Sequence, residues 1–91
     1  MKIVINRSGG LAGGEPEEVA RVDTSGLTPS RAEAIEGAVR ELRQRTPEIG
    51  ADLIQYEIVV QDRMGQSTIV ATEDGDPRNP VYKLLNAASA P

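Results

Sequence analysis

Hydrophobic positions alternate with polar ones in four places along this chain and recur at helical spacing in two. Lys2 to Arg7 (KIVINR) sets Ile3 and Ile5 on one side and Val4 on the other, the β-branched pattern of a strand covered on at least one face. Val19 to Thr24 (VARVDT) alternates again and can return antiparallel to the first strand, with its inward face left open. The acidic Glu15-Pro16-Glu17-Glu18 ahead of it carries a proline, so pairing is expected only past that segment. The third run, Leu53 to Asp62, puts Ile54, Tyr56, Ile58 and Val60 on one face and Gln55, Glu57 and Gln61 on the other. One face packs on a core, while the other meets water or a partner. Arg63-Met64-Gly65 then makes a short hairpin with Gly65 at the position needing positive φ. Gln66 to Glu73 returns as the fourth strand. Pairing Asp62 with Gln66 sends Thr68, Val70 and Thr72 inward and Ile69 outward, and a loop one residue longer reverses this, so register stays open.

The helical spacing falls elsewhere. Thr28 suits a cap and Pro29 a first helical position, where its missing N–H costs nothing. From Pro29 to about Gln44, the residues Ala32, Ile35, Ala38 or Val39, and Leu42 form one stripe. Glu33 and Glu36 lie early and Arg40, Arg43 and Arg45 late, in agreement with the helix dipole. Gly37 marks either close packing on the sheet or a tolerated surface glycine, and Thr46-Pro47 ends the helix. Pro47 to Asp52 crosses back to the sheet. Asn79-Pro80 repeats the start signal, and Val81, Leu84, Leu85 and Ala88 give a second stripe. The order ββαββα, with no βαβ repetition, predicts an α+β fold: a four-stranded, mainly antiparallel sheet with both helices on one face. At 91 residues, one domain spanning positions 1–91 with one modest core is expected.

Composition narrows the function. A net charge of -4 and an acidic isoelectric point disfavour nucleic acid and anionic membrane as partners. Tyr56 and Tyr82 are the only aromatic residues, too few for base-stacking platforms. Without Cys there is no disulfide or thiolate chemistry, and without His the usual general base and commonest metal ligand are missing. No apolar run approaches the roughly 18 residues that span a bilayer, and no leader precedes the first strand, so a soluble cytoplasmic protein is expected. The carboxylates cluster in turns and on exposed faces. Glu73-Asp74-Gly75-Asp76 invites a calcium reading but lacks the ligand loop and its closing Glu, which favours a solvated acidic turn. Ser8 has neither a G-x-S-x-G context nor a His, and the glycines beside it precede no helix and no lysine that would cradle phosphate. No enzyme, no metal and no cofactor are expected.

What remains is Arg7-Ser8-Gly9-Gly10-Leu11-Ala12-Gly13-Gly14, four glycines in eight residues around one large apolar side chain. Glycine loses more backbone freedom on ordering than any other residue, so such a tip weakens the fold unless something requires it. It is either an unspecialised hairpin connection or a recognition loop offering Leu11 to a partner's pocket.

The run Ile3-Val4-Ile5-Asn6-Arg7-Ser8-Gly9-Gly10-Leu11-Ala12-Gly13 resembles the opening of the emfourin (protealysin-inhibitor) family, small bacterial inhibitors of thermolysin-like metalloproteases. Val22-Asp23-Thr24, the first helix, Tyr56 to Asp62, the following hairpin and the closing helix continue the likeness over nearly the full length. Leu11 stands where the family often carries Phe, and Gly14 where a bulkier residue is usual. The resemblance implies an intracellular bacterial inhibitor whose partner is a thermolysin-like zinc metalloprotease. Its protease-binding loop would be Ser8, Gly9, Gly10, Leu11, Ala12 and Gly13, with Leu11 in the primed-side pocket; no residue is an obvious zinc ligand, while Glu15 or a loop carbonyl could reach the metal. From a different class, the same chain reads as a non-catalytic interaction module that self-associates through an exposed sheet edge. A monomer or weak homodimer is expected.

Overall fold

The computed structural model describes residues 1–9, 15–46 and 53–89. Strands β1 (Lys2–Gly9), β2 (Glu17–Asp23), β3 (Ile54–Asp62) and β4 (Gly65–Thr72) and helices α1 (Pro29–Arg43) and α2 (Pro80–Ser89) follow in the expected order ββαββα. The strands form one sheet in the order β2-β1-β3-β4, every neighbouring pair antiparallel.

The core follows from side-chain alternation. Ile3 lies opposite Val60, Ile5 opposite Ile58, Ile58 opposite Ile69, and Tyr56 opposite Ala71. All are buried in one cluster with Ile35, Ala38, Val39 and Leu42 of α1 and Val81 and Leu84 of α2. The inward face of β2 is the one carrying Ala20 and Val22, which pair with Ile5 and Ile3. A register shift after Ile5, whose next residue Asn6 pairs with Glu18, leaves Val19 as the extra residue of a bulge, and Val19 also packs against the core.

The helix signals act as the sequence implies. Thr28 Oγ1 accepts from the Arg31 amide at 3.4 Å, Pro29 opens α1, and Arg40 and Arg43 sit in its last turn. A Cβ added at Gly37 would meet nothing within 4 Å, so the surface reading of that glycine holds and no close packing requires it. Asn79 does two jobs before α2. Its Oδ1 accepts from the Val81 amide and its Nδ2 donates to the Thr72 carbonyl, both at 3.0 Å.

Three boundaries differ from the sequence reading. β1 continues through Ser8 and Gly9 because both pair with β3, a partner the local sequence does not reveal. β2 begins at Glu17, immediately after Pro16, and ends at Asp23, where the Asp23 side chain accepts from the Ser25 amide to start a 3-10 turn over Thr24–Gly26. In the third, Asp62 pairs with Gly65, not Gln66, so the turn is only Arg63 and Met64. That register sends Ile69 and Ala71 inward and leaves Val70 46% exposed. The register that the sequence leaves open is settled this way because burying Ile69 and Ala71 removes more apolar surface from water than burying a threonine beside a valine. Gly65 does adopt positive φ, at 120°.

Candidate functional site

Ser8 and Gly9 lie at the end of β1, opposite Gln55 and Ile54. They are part of the sheet, not of a loop. Gly10, Leu11, Ala12 and Gly13 lie outside the described residues. The geometry therefore concerns the base on which those four residues stand.

That base is closely fitted. Gly9 has φ 90°, and a Cβ built on it would sit 2.7 Å from the Leu53 carbonyl oxygen. Both the left-handed backbone and the close approach exclude a side chain, so glycine is required here for two independent reasons. β1 also outruns its neighbour. The last registered pair with β2 is Arg7 opposite Glu17, and no described residue of β2 stands opposite Gly9. Arg7 and Glu17 face each other at 3.8 Å, both well exposed, a contact that contributes little in water.

Beneath this end sits Tyr56, opposite Arg7 in β3. It is buried, and its hydroxyl donates to Glu73 Oε1 at 2.8 Å. Burial, then the bond to the Glu73 carboxylate, pushes its ionisation up to about 12, so the ring stays neutral and the bond persists across ordinary pH. The Glu73 amide in turn donates to the Ile54 carbonyl at 3.0 Å. Tyr56 and Glu73 thus pin β3 to the segment after β4 at the level of Gly9. Alternation places Tyr56 on the core face, but nothing local in the sequence points to a partner 17 positions away.

The acidic turn is internally satisfied. Asp74 Oδ1 accepts from the Asp76 amide at 2.9 Å and its Oδ2 pairs with Arg45 at 3.2 Å, while Asp76 accepts from the Arg78 amide and side chain. Each carboxyl is held below its usual range, chiefly by the backbone amide it accepts from. Among the described residues no group of three or more acidic side chains could hold a metal ion, and no helix is long and apolar enough to cross a membrane. A cavity of about 440 Å³ lies at the far end of the sheet from Gly9, between α1 and the β3–β4 turn, lined by Met1, Arg40, Arg43, Met64 and Ser67 among others.

In class this is a small antiparallel α+β domain with a glycine-rich sequence between β1 and β2. The particular family follows from sequence comparison: the chain belongs to the Emfourin family, whose model matches residues 5–87. That is an inhibitor family, and membership points to a protease inhibitor role and a protease partner. No curated protein and no solved structure matches the chain.

Proposed function

We propose that this protein inhibits a thermolysin-like zinc metalloprotease by occupying its active-site cleft with Ser8, Gly9, Gly10, Leu11, Ala12 and Gly13. Leu11 is the apolar anchor for the primed-side pocket, and the backbone at Gly9 and Gly10 runs through the cleft as an added strand. Both helices lie against the core face of the sheet, and the protein works in the cytoplasm without metal or cofactor of its own.

The observation that carries this reading is the strand end at Gly9. Ordering a glycine-rich segment costs about 1–2 kcal/mol per residue, drawn from the binding free energy. Ser8 and Gly9 are already fixed by pairing with Gln55 and Ile54, so their share of that cost is met on folding. Gly9 supports the reading a second way: strand alternation turns its amide away from β3, toward a position that β2 does not fill with a registered residue.

The test is a titration of thermolysin against a peptide substrate with the parent protein and with Leu11→Asp. Stoichiometric inhibition by the parent is expected, with a loss of roughly 30-fold or more in the variant, the scale of an interface hot spot. No inhibition by the parent rejects the function, and full inhibition by the variant rejects Leu11 as anchor.

A further inference from the structure

The two outer strands of the sheet are defended very differently. β2 carries Glu17, Glu18, Arg21 and Asp23 and a bulge at Val19, devices that keep a strand edge from pairing with another chain. β4 (GQSTIVAT) has no charge, no proline and no break in its pairing with β3 over eight residues.

The hydrogen-bond parity of β4 follows from its turn. A two-residue hairpin closed by Asp62 and Gly65 makes that pair hydrogen-bonded, and bonded and non-bonded pairs then alternate. Gln66, Thr68, Val70 and Thr72 accordingly direct their amides and carbonyls away from β3. Thr72 bears this out, since its carbonyl accepts from Asn79 Nδ2 at 3.0 Å. Among the described residues no other element bonds the outward groups of Gln66, Thr68 or Val70, and all three residues are exposed.

Beside this open edge lie two arginines, one of them, Arg45, already paired with Asp74. A groove of about 340 Å³ is lined by Leu42, Arg43, Arg45, Thr68, Ile69 and Val70, with two guanidinium groups and no carboxylate, in a chain of net charge -4. Arg43 reaches over β4 to Ser67 Oγ at 2.9 Å. Arg45 approaches from the end of α1, where it meets Asp74.

We infer that the β4 edge is a docking site for an extended acidic segment of another protein, which adds as a fifth strand along Gln66, Thr68 and Val70. Carboxylates at alternate positions face Arg43 and Arg45, and small or β-branched residues between them lie beside Thr68 and Val70 on the other face. A second copy fits less well. Pairing β4 with β4 about a twofold axis sets the arginines of both copies on the same side of the seam, like charge against like.

The probe is the blocked peptide Glu-Val-Glu-Val-Glu-Val, added to isotope-labelled protein while amide shifts and hydrogen exchange are followed. The assay needs no protease, so its outcome is independent of the inhibitory reading. Saturable shifts and slowed exchange at the Thr68 and Val70 amides are expected. Binding should weaken roughly tenfold in the surface variant Arg43→Glu with Arg45→Glu, and similarly when glutamine replaces glutamate in the peptide. Val70→Pro removes one outward amide at an edge position that tolerates proline, and should abolish the shifts. Failure of the acidic peptide to shift these amides overturns the inference, as does equal binding by a Lys-Val peptide or by the arginine variant. Concentration-dependent protection of Thr68 and Val70 without peptide overturns it in favour of self-association.

Discussion

The sheet contains two hairpins that begin alike and end differently. The β3–β4 hairpin closes on Asp62 and Gly65 with only Arg63 and Met64 between them. Stepping across the sheet by the same alternation makes Arg7 and Glu17 a hydrogen-bonded pair of the same kind, yet residues 8–16 separate them. Nothing in the topology demands the extra length, since two residues suffice for this geometry next door. Length beyond what connection requires, and rich in glycine, is what the proposed cleft-filling role would use. The tight turn shows how little length the fold itself needs.

Substitutions at the two hairpin glycines separate those roles. Gly9→Ala adds a Cβ 2.7 Å from the Leu53 carbonyl at φ 90°, and should destabilise by about 2–4 kcal/mol in chemical denaturation, because strain and clash act together. Gly65→Ala meets only the strain, since nothing lies within 4 Å of its Cβ; a cost of about 1 kcal/mol is expected. Equal costs would mean that the close fit at Gly9 carries no energy.

Removing the Tyr56 hydroxyl should have a similar effect to the second of these. Tyr56→Phe breaks the bond to Glu73 and should cost about 1 kcal/mol. The same bond carries a pH dependence of definite sign. The folded state holds the Tyr56 proton up to about 12, against 10.0 for the ordinary side chain. Its contribution is therefore complete below pH 10 and is lost as pH rises from there through the folded value. Tyrosinate absorbance in a Tyr82→Phe background should show one transition near pH 12; a transition near pH 10 would remove this brace from the account. At the bottom of the scale stands Met64→Lys. Met64 is 95% exposed at the tip of the tight turn, so stability should move by no more than about 0.5 kcal/mol and inhibition not at all.

How much of this was legible from sequence depends on range. The helix starts at Thr28-Pro29 and Asn79-Pro80, both apolar stripes and the core face of β3 are local patterns, and all are present in the structure. The strand order, with β1 central between β2 and β3, is not local, and neither is the continuation of β1 through Gly9, which depends on Ile54 and Gln55. The β3–β4 register stays open in the sequence because Gly65 could close a turn or begin a strand, and burying Ile69 makes the choice. At the candidate site, glycine richness drew attention to the segment, but the reason Gly9 must be glycine is a carbonyl 44 positions along the chain. The Tyr56–Glu73 brace and the open β4 edge likewise depend on contacts and parity that only the folded sheet supplies.

The most direct measurement makes the two hairpins alike. Residues 8–16 are replaced by Asn-Gly, closing on Arg7 and Glu17, and the variant is titrated against thermolysin beside the parent. The variant should keep the hydrogen-exchange protection of β1, β3 and both helices, and should no longer inhibit. A folded variant that still inhibits as the parent does would contradict the account, because the protease would then be held by some other part of the molecule.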